Sequence, residues 1–452
     1  MMFKTNINYA HDKNAIEAFK TIMNTTSSIL LAGKVRTGKT TLIKSYLDLT
    51  SKNFIVLAPN QSEAIKSNVA SLQAFFKLPQ NIYESEDFDF LVDIEYTSEH
   101  IKFIKCLELL VIDDIILLSS AMLDCINMLL QYVRGNLEPF GGIQLILIGD
   151  LFEPIPFLNE EEKKAINKYW KSEFFFDAKC YDSLSLKCYE LLYTYIDDIY
   201  YDFEMLYYFL GQDNINDRYF DWLNRAFADF EGARKDKLIL TIDNNSANSI
   251  NSERLEAISN IEEFKFQCDF HGNIDTSILP VEPLISLKKG AKVILINNDK
   301  IGGNYINGTI GTFEDVYNDE IVIKLEDNST KYIKKAEWIE YEYSFDVESG
   351  QYTETPKGIF IQYPIKLGWA ISMEDSKGMI FKRMHFENRK VKYYENGQVY
   401  GIYRRSHAGE GFSFTIPLRR ENIRADSRII EFYIENFGPL IEDEIIEEEI
   451  NH

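Results

Sequence analysis

Short apolar runs, each followed by glycine or polar residues, recur through the first third of the chain: Ser27–Ala32, Phe54–Ala58, Leu109–Ile112 and Gln144–Ile148. Apolar on both faces and too short for helices, they predict parallel strands buried between helices, an α/β core. Between about 79 and 105 the rhythm gives way to an acidic, aromatic stretch, YESEDFDFLVDIEY, which predicts a small accessory insertion. A second alternating block, from about Tyr181 to Asn298, predicts a helical aromatic stretch at Tyr189–Phe209 and a strand at Lys237–Ile242. From Gly303 to about Tyr363 the runs NGTIGTF, EIVIKL and KGIFIQY alternate with Asn-Gly, Asn-Asp and Asp-Asn turns. That texture predicts a small antiparallel, SH3-like β-barrel inserted in the second block. The expected domains are a first core over 1–180, a second over 181–302 and 364–440, the barrel over 303–363 and an acidic tail over 441–452. The tail reads as a solvated terminus.

Composition narrows the class. With 452 residues, 45% hydrophobic and 26% charged, the chain is globular and too long for one core. It has no apolar run long enough to span a bilayer, which takes about 18 to 20 residues, and MMFKTNINYAHDKN lacks the apolar centre of a signal peptide. Five scattered cysteines without metal-ligand spacing fit reduced thiols and a cytoplasmic protein. The net charge of −23 argues against wrapping a polyanion. Yet Lys377 to Arg428 holds twelve basic residues against five acidic ones, a local net of +7. A solvated face and a phosphate-facing surface explain that excess equally well.

The most specific chemistry lies at Gly33-Lys-Val-Arg-Thr-Gly38-Lys39-Thr40, between a predicted strand and a predicted helix. This is the G-x-x-x-x-G-K-[ST] phosphate loop in its required context. Gly33 and Gly38 let backbone N–H groups close around phosphates, and the helix N-terminus adds its dipole. Lys39 reaches the β- and γ-phosphates in this motif, and the Thr40 hydroxyl ligates Mg²⁺. The expected nucleotide-binding set is Gly33, Arg36, Thr37, Gly38, Lys39, Thr40 and Thr41, joined by Asp150 and Glu153. Asp113 and Asp114 end the apolar run CLELLVIDD, with Asp113 the expected second Mg²⁺ ligand and Asp114 the expected base for an attacking water. Asp150 ends QLILIGD, where a γ-phosphate sensor belongs.

The order of these segments resembles the RecD-like branch of superfamily 1B DNA helicases, its Pif-type group, over about Ile7 to Tyr433. GKVRTGKT matches motif I, VLAPNQSEA resembles motif Ia, LLVIDD matches motif II and PFGGIQLILIGDLFEPIPF is close to motif III. SLQAFFKLP is similar to a strand-contacting stretch, LTIDNNSANSINSERL to an Asn-rich strand–helix unit, and KGAKVILINN…NGTIGTF to the entry of the small barrel. IQYPIKLGWAISMEDSKGMIF resembles motif V, and GQVYGIYRRS resembles motif VI with Arg405 on the arginine that reaches the γ-phosphate. The resemblance implies two RecA-like cores with parallel sheets, ATP and Mg²⁺ between them, and single-stranded DNA lying across both and moved 5′-to-3′. Lys377, Lys382 and Arg383 are candidate DNA contacts, with solvation on a helix surface the simpler role for each.

The chain departs from the family pattern at catalytic positions. Asp114 stands for a glutamate, Glu153 for a γ-phosphate-facing glutamine, and Ile196 for the arginine finger of motif IV. Glu374-Asp375-Ser376-Lys377-Gly378 replaces His-Lys-Ser-Gln-Gly, and Asp12-Lys13 stands where an adenine-reading glutamine is expected. An anion at 153 facing a phosphate is unfavourable. Two readings follow: an ATP-dependent helicase with weakened hydrolysis, or a catalytically degenerate ATP- and DNA-binding subunit. A partner protein supplying the missing arginine in trans is compatible with either. A P-loop switch acting on no nucleic acid is a third class, disfavoured by the matches to motifs III and V.

Overall fold

The computed structural model describes residues 12–34, 37–67, 69–79, 88–155, 160–193, 220–221, 224–225, 236–259, 261–274, 276, 279–298, 305–346, 351–406 and 411–438. Six strands build the first lobe: β1 (Ile29–Gly33), β2 (Phe54–Ala58), β3 (Ala70–Ser71), β4 (Leu109–Ile112), β5 (Gln144–Gly149) and β6 (Lys187–Leu191). They form one parallel sheet in the order β3-β2-β4-β5-β1-β6. Every residue of β1, β4 and β5 is buried, as expected for strands covered by helices on both faces. The order sets the carboxyl ends of β4, β5 and β1 side by side, Ile112 pairing with Leu147 and Ala32 with Gly149. Ligands of open α/β sheets bind at such ends.

A second parallel sheet, in the order β18-β7-β19-β20, comprises β7 (Leu238–Thr241), β18 (Ala370–Ser372), β19 (Met384–Phe386) and β20 (Phe412–Phe414). Between β7 and β18 the chain builds three antiparallel sheets. One is five-stranded: β11 (Lys292–Leu295), β12 (Ile310–Tyr317), β13 (Glu320–Leu325), β14 (Thr330–Ile333) and β17 (Ile365–Leu367). The others pair β8 (Glu263–Gln267) with β10 (Leu284–Lys288), and a long hairpin, β15 (Ala336–Asp346) and β16 (Gln351–Gln362), with β9 (Asp269–Gly272). Antiparallel pairing thus starts at Glu263, well upstream of 303. The hairpin packs onto the first lobe: Trp338 and Phe360 share a buried cluster with Ile65.

The helix expected at Tyr189–Phe209 is corrected over its first residues, and 194–209 lies outside the described residues. Tyr189, Glu190 and Leu191 pair with Leu31, Ala32 and Gly33 of β1. An aromatic stretch suits an edge strand as well as a helix face, and the open edge of β1 decides between them. The terminal helix Ser427–Phe437 crosses back to the first lobe, where Phe432 stacks on Phe176 at 4.3 Å between ring centroids. The acidic tail and Ile196 lie outside the described residues. Among the described residues no helix is long and apolar enough to cross a membrane.

Candidate active site

The loop after β1 turns on two glycines. Gly38 caps the helix Lys39–Leu47 with φ 82°, in the left-handed region. Gly33 has φ 151°, and a Cβ there would lie 2.7 Å from the Leu191 carbonyl and 2.8 Å from Thr37 Oγ1. The β6 edge strand therefore fixes glycine at 33. Thr37 is fully buried and donates to the Lys34 carbonyl at 2.9 Å. Lys39 Nζ arcs over the loop and donates to the carbonyls of Gly33 and Lys34 at 2.7 and 2.6 Å. Desolvation lowers its pKa; Arg404 pushes the same way, and Asp150, Asp113 and Asp114 oppose. Thr40 and Thr41 occupy the first helical turn, Thr40 exposed. Arg36 lies outside the described residues.

Beyond β4, Asp113 and Asp114 are half-buried, with Asp113 Oδ1 accepting from the Asp114 N–H at 3.0 Å. Burial, then the Asp114 charge, raise the Asp113 pKa to about 6. Beyond β5, Asp150 is buried and accepts from the Tyr400 hydroxyl at 2.7 Å. Among the described residues no group of three or more His, Cys, Asp or Glu side chains is arranged to hold a metal. Two hard oxygen donors, Thr40 and Asp113, do stand on neighbouring elements, and Mg²⁺ needs few protein ligands when phosphate and water complete its shell.

The second lobe meets these ends through three side chains that the sequence did not assign to the cleft. Arg404 Nη1 lies 3.2 Å from Asp150 Oδ2 and 3.1 Å from Glu153 Oε2. Lys377 Nζ lies 3.0 Å from Asp114 Oδ2 and 3.3 Å from Glu63 Oε2. Tyr400 supplies the hydroxyl on Asp150. Two expectations change accordingly. Lys377 is neither solvated nor facing outward, but largely buried between the lobes; Lys382 and Arg383 are exposed. Glu153 is not an uncompensated anion: burial alone would raise its pKa, but Arg404, Lys377 and Arg405 overcome that and hold it at about 2.

Arg405, expected at the γ-phosphate, turns into its own lobe. It donates from Nε to Ser376 Oγ at 2.7 Å, from Nη2 to the Met373 carbonyl at 2.6 Å and from Nη1 to the Gly401 carbonyl. Desolvation, reinforced by Arg404, lowers its pKa to about 9. Neighbouring residues on a helical turn point about 100° apart, so only one of the two arginines can face the first lobe. That one is Arg404. The one sequence signal for this arrangement was the pair of opposite-sign replacements at Glu153 and Lys377.

The comparisons agree with this architecture. Residues 10–186 match the family model described as PIF1-like helicase. The chain is 25% identical over 427 residues to the ATP-dependent DNA helicase PIF1 of Xenopus laevis, covering 91% of this chain and 63% of that protein. It is 25% identical over 465 residues to the ATP-dependent DNA helicase Pif1 of Campylobacter jejuni, covering 93% and 97%. Among solved structures, Bacteroides sp Pif1 in complex with ADP-AlF4 aligns with a TM-score of 0.87 at 21% identity, over 96% of this chain and 99% of that one. Bacteroides Pif1 bound to ssDNA aligns with a TM-score of 0.64 at 21% identity, over 96% and 97%. The two likenesses establish the fold, and the match to the PIF1-like helicase family model falls on residues 10–186, the part of the chain that carries the phosphate loop and the paired aspartates.

Proposed function

We propose that the protein is an ATP-dependent DNA helicase that tracks 5′-to-3′ along single-stranded DNA. The observation that carries this reading is the meeting of Lys39, Asp113 and Asp150 on one lobe with Arg404 on the other. Thr40 and Asp113 would hold Mg²⁺, which would supply positive charge to offset that of the phosphates. Lys39 exchanges its loop carbonyls for the β- and γ-phosphates. Asp114 is the carboxylate for an attacking water, and its pairing with Lys377 ties that water's position to the position of the second lobe. Opening and closing of the lobes then becomes coupled to turnover. Single-stranded DNA binding is supported by the Bacteroides relative solved with ssDNA. Exposed Lys382 and Arg383 are candidate backbone contacts.

The second reading, a degenerate ATP- and DNA-binding subunit, draws support from Arg405, whose donors are taken up within its own lobe. Unwinding of duplexes with a 5′ or a 3′ single-stranded tail separates the two. The helicase reading predicts ATP-dependent opening of the 5′-tailed duplex only. Tight ATP binding with neither duplex opened would leave the subunit reading.

A further inference from the structure

Three of the positions at which this chain departs from the motif pattern it resembles, Asp114, Glu153 and Lys377, come together with Arg404 in one patch, largely buried except at the half-buried Asp114. In the ion pairs that cross it among the described residues, the first lobe supplies the carboxylates: Glu63 after β2, Asp114 after β4, and Asp150 and Glu153 after β5. The second lobe supplies the cations, Lys377 from the turn after β18 and Arg404 from the end of the helix Gln398–Tyr403, with the Tyr400 hydroxyl beside them on Asp150. Lys377 is 16% exposed, Arg404 10% and Glu153 5%. Glutamine replaced by glutamate on one wall, and glutamine by lysine on the other, gives two errors of opposite sign that cancel across the cleft. Arg404 Nη1 is buried within 3.2 Å of both Asp150 and Glu153 yet aligned for a hydrogen bond with neither. It is held by charge more than by directed bonding, and can be drawn to a stronger anion.

We propose that Lys377 and Arg404, against Glu63, Asp114, Asp150 and Glu153, form an ionic latch that closes the two lobes over the phosphate loop before any nucleotide binds. Its members act as positioning residues: they set lobe separation, and a triphosphate enters by taking Arg404 away from Glu153. The physical ground is the asymmetry of buried ion pairs. Paired, the six groups lose water but satisfy one another. With the cations gone, the carboxylates are stranded, and the cleft opens to rehydrate them. The inference rests on the nucleotide-cleft reading above, but its test needs no turnover.

The test is energy transfer in the full chain without nucleotide, between dyes on the exposed first-lobe Leu137 and second-lobe Tyr393, each changed to Cys, with the exposed Cys106 changed to Ala. The parent protein is expected in one closed, high-transfer population. Lys377→Gln with Arg404→Gln should lower the closed-to-open ratio by about tenfold or more, the scale of stranding buried charges. Lys377→Arg with Arg404→Lys keeps the charges and should stay closed. Unchanged transfer in the glutamine pair, or equal opening in the conservative pair, overturns the latch. If the glutamine pair fails to fold, Glu153→Gln alone carries the test: a smaller opening, about threefold, is expected, and unchanged transfer overturns the proposal. A defect in ATP turnover with normal latch behaviour would count against the helicase reading instead.

Discussion

At Asp113 function and stability pull in opposite directions. Its folded pKa of about 6 stands above the 3.8 of a free aspartate, so ionising it costs more in the folded chain than in the unfolded one. What it contributes to stability is fully present below about pH 3.8 and is lost as pH rises through about 6. Asp113→Asn should therefore raise stability at pH 7 by about 1 to 2 kcal/mol and lose that gain below about pH 4, while ATP turnover disappears. Thermal melts at both pH values, paired with a turnover assay, check both halves; destabilisation at pH 7 would refute the electrostatic account. The same residue scale separates what spacing in the sequence reveals from what it hides. Lys39, Asp113 and Asp150 each follow an apolar run, and the three runs become neighbouring strands of one sheet, so their proximity follows from strand order. Lys377 lies 263 residues from Asp114, and Tyr400 lies 250 from Asp150, so only the docking of two lobes pairs them.

Among the elements, burial was the legible part. Phe54–Ala58 and Leu109–Ile112 are strands over the residues their apolar runs predicted. Strand β6 was misread because edge pairing leaves no period in Cys188, Tyr189 and Glu190, which take their form from a partner 158 residues earlier in the chain, Tyr189 lying opposite Leu31. Turn signals between NGTIGTF and KGIFIQY gave the antiparallel texture but not where it starts, because β8 and β10 carry none of those Asn-containing turns. The hairpin β15–β16 is the element that ties this region to the first lobe. Trp338, 7% exposed, meets Phe360 at 5.5 Å between ring centroids and shares its cluster with Ile65. Trp338→Ala should cost about 3 kcal/mol or more, as large-to-small core changes do. Chemical denaturation measures it, and a loss below about 1 kcal/mol would mean the hairpin does not dock through this residue.

At the scale of the whole molecule, the proposed DNA binding depends on where charges sit, because the net charge of −23 opposes it. Four of the acids are spent against Lys377 and Arg404 in the cleft, and the exposed Lys382 and Arg383 are left to the surface. In the proposed function, two lobes that meet through the groups flanking a triphosphate would convert hydrolysis into relative motion, and that motion has a use only if a track is bound. The most direct measurement is steady-state ATP hydrolysis by the full chain, with and without saturating single-stranded DNA, beside Lys39→Ala as control. The account predicts turnover that DNA accelerates by about tenfold or more and that falls to background in Lys39→Ala. Turnover indifferent to DNA, or equal in Lys39→Ala, would contradict it.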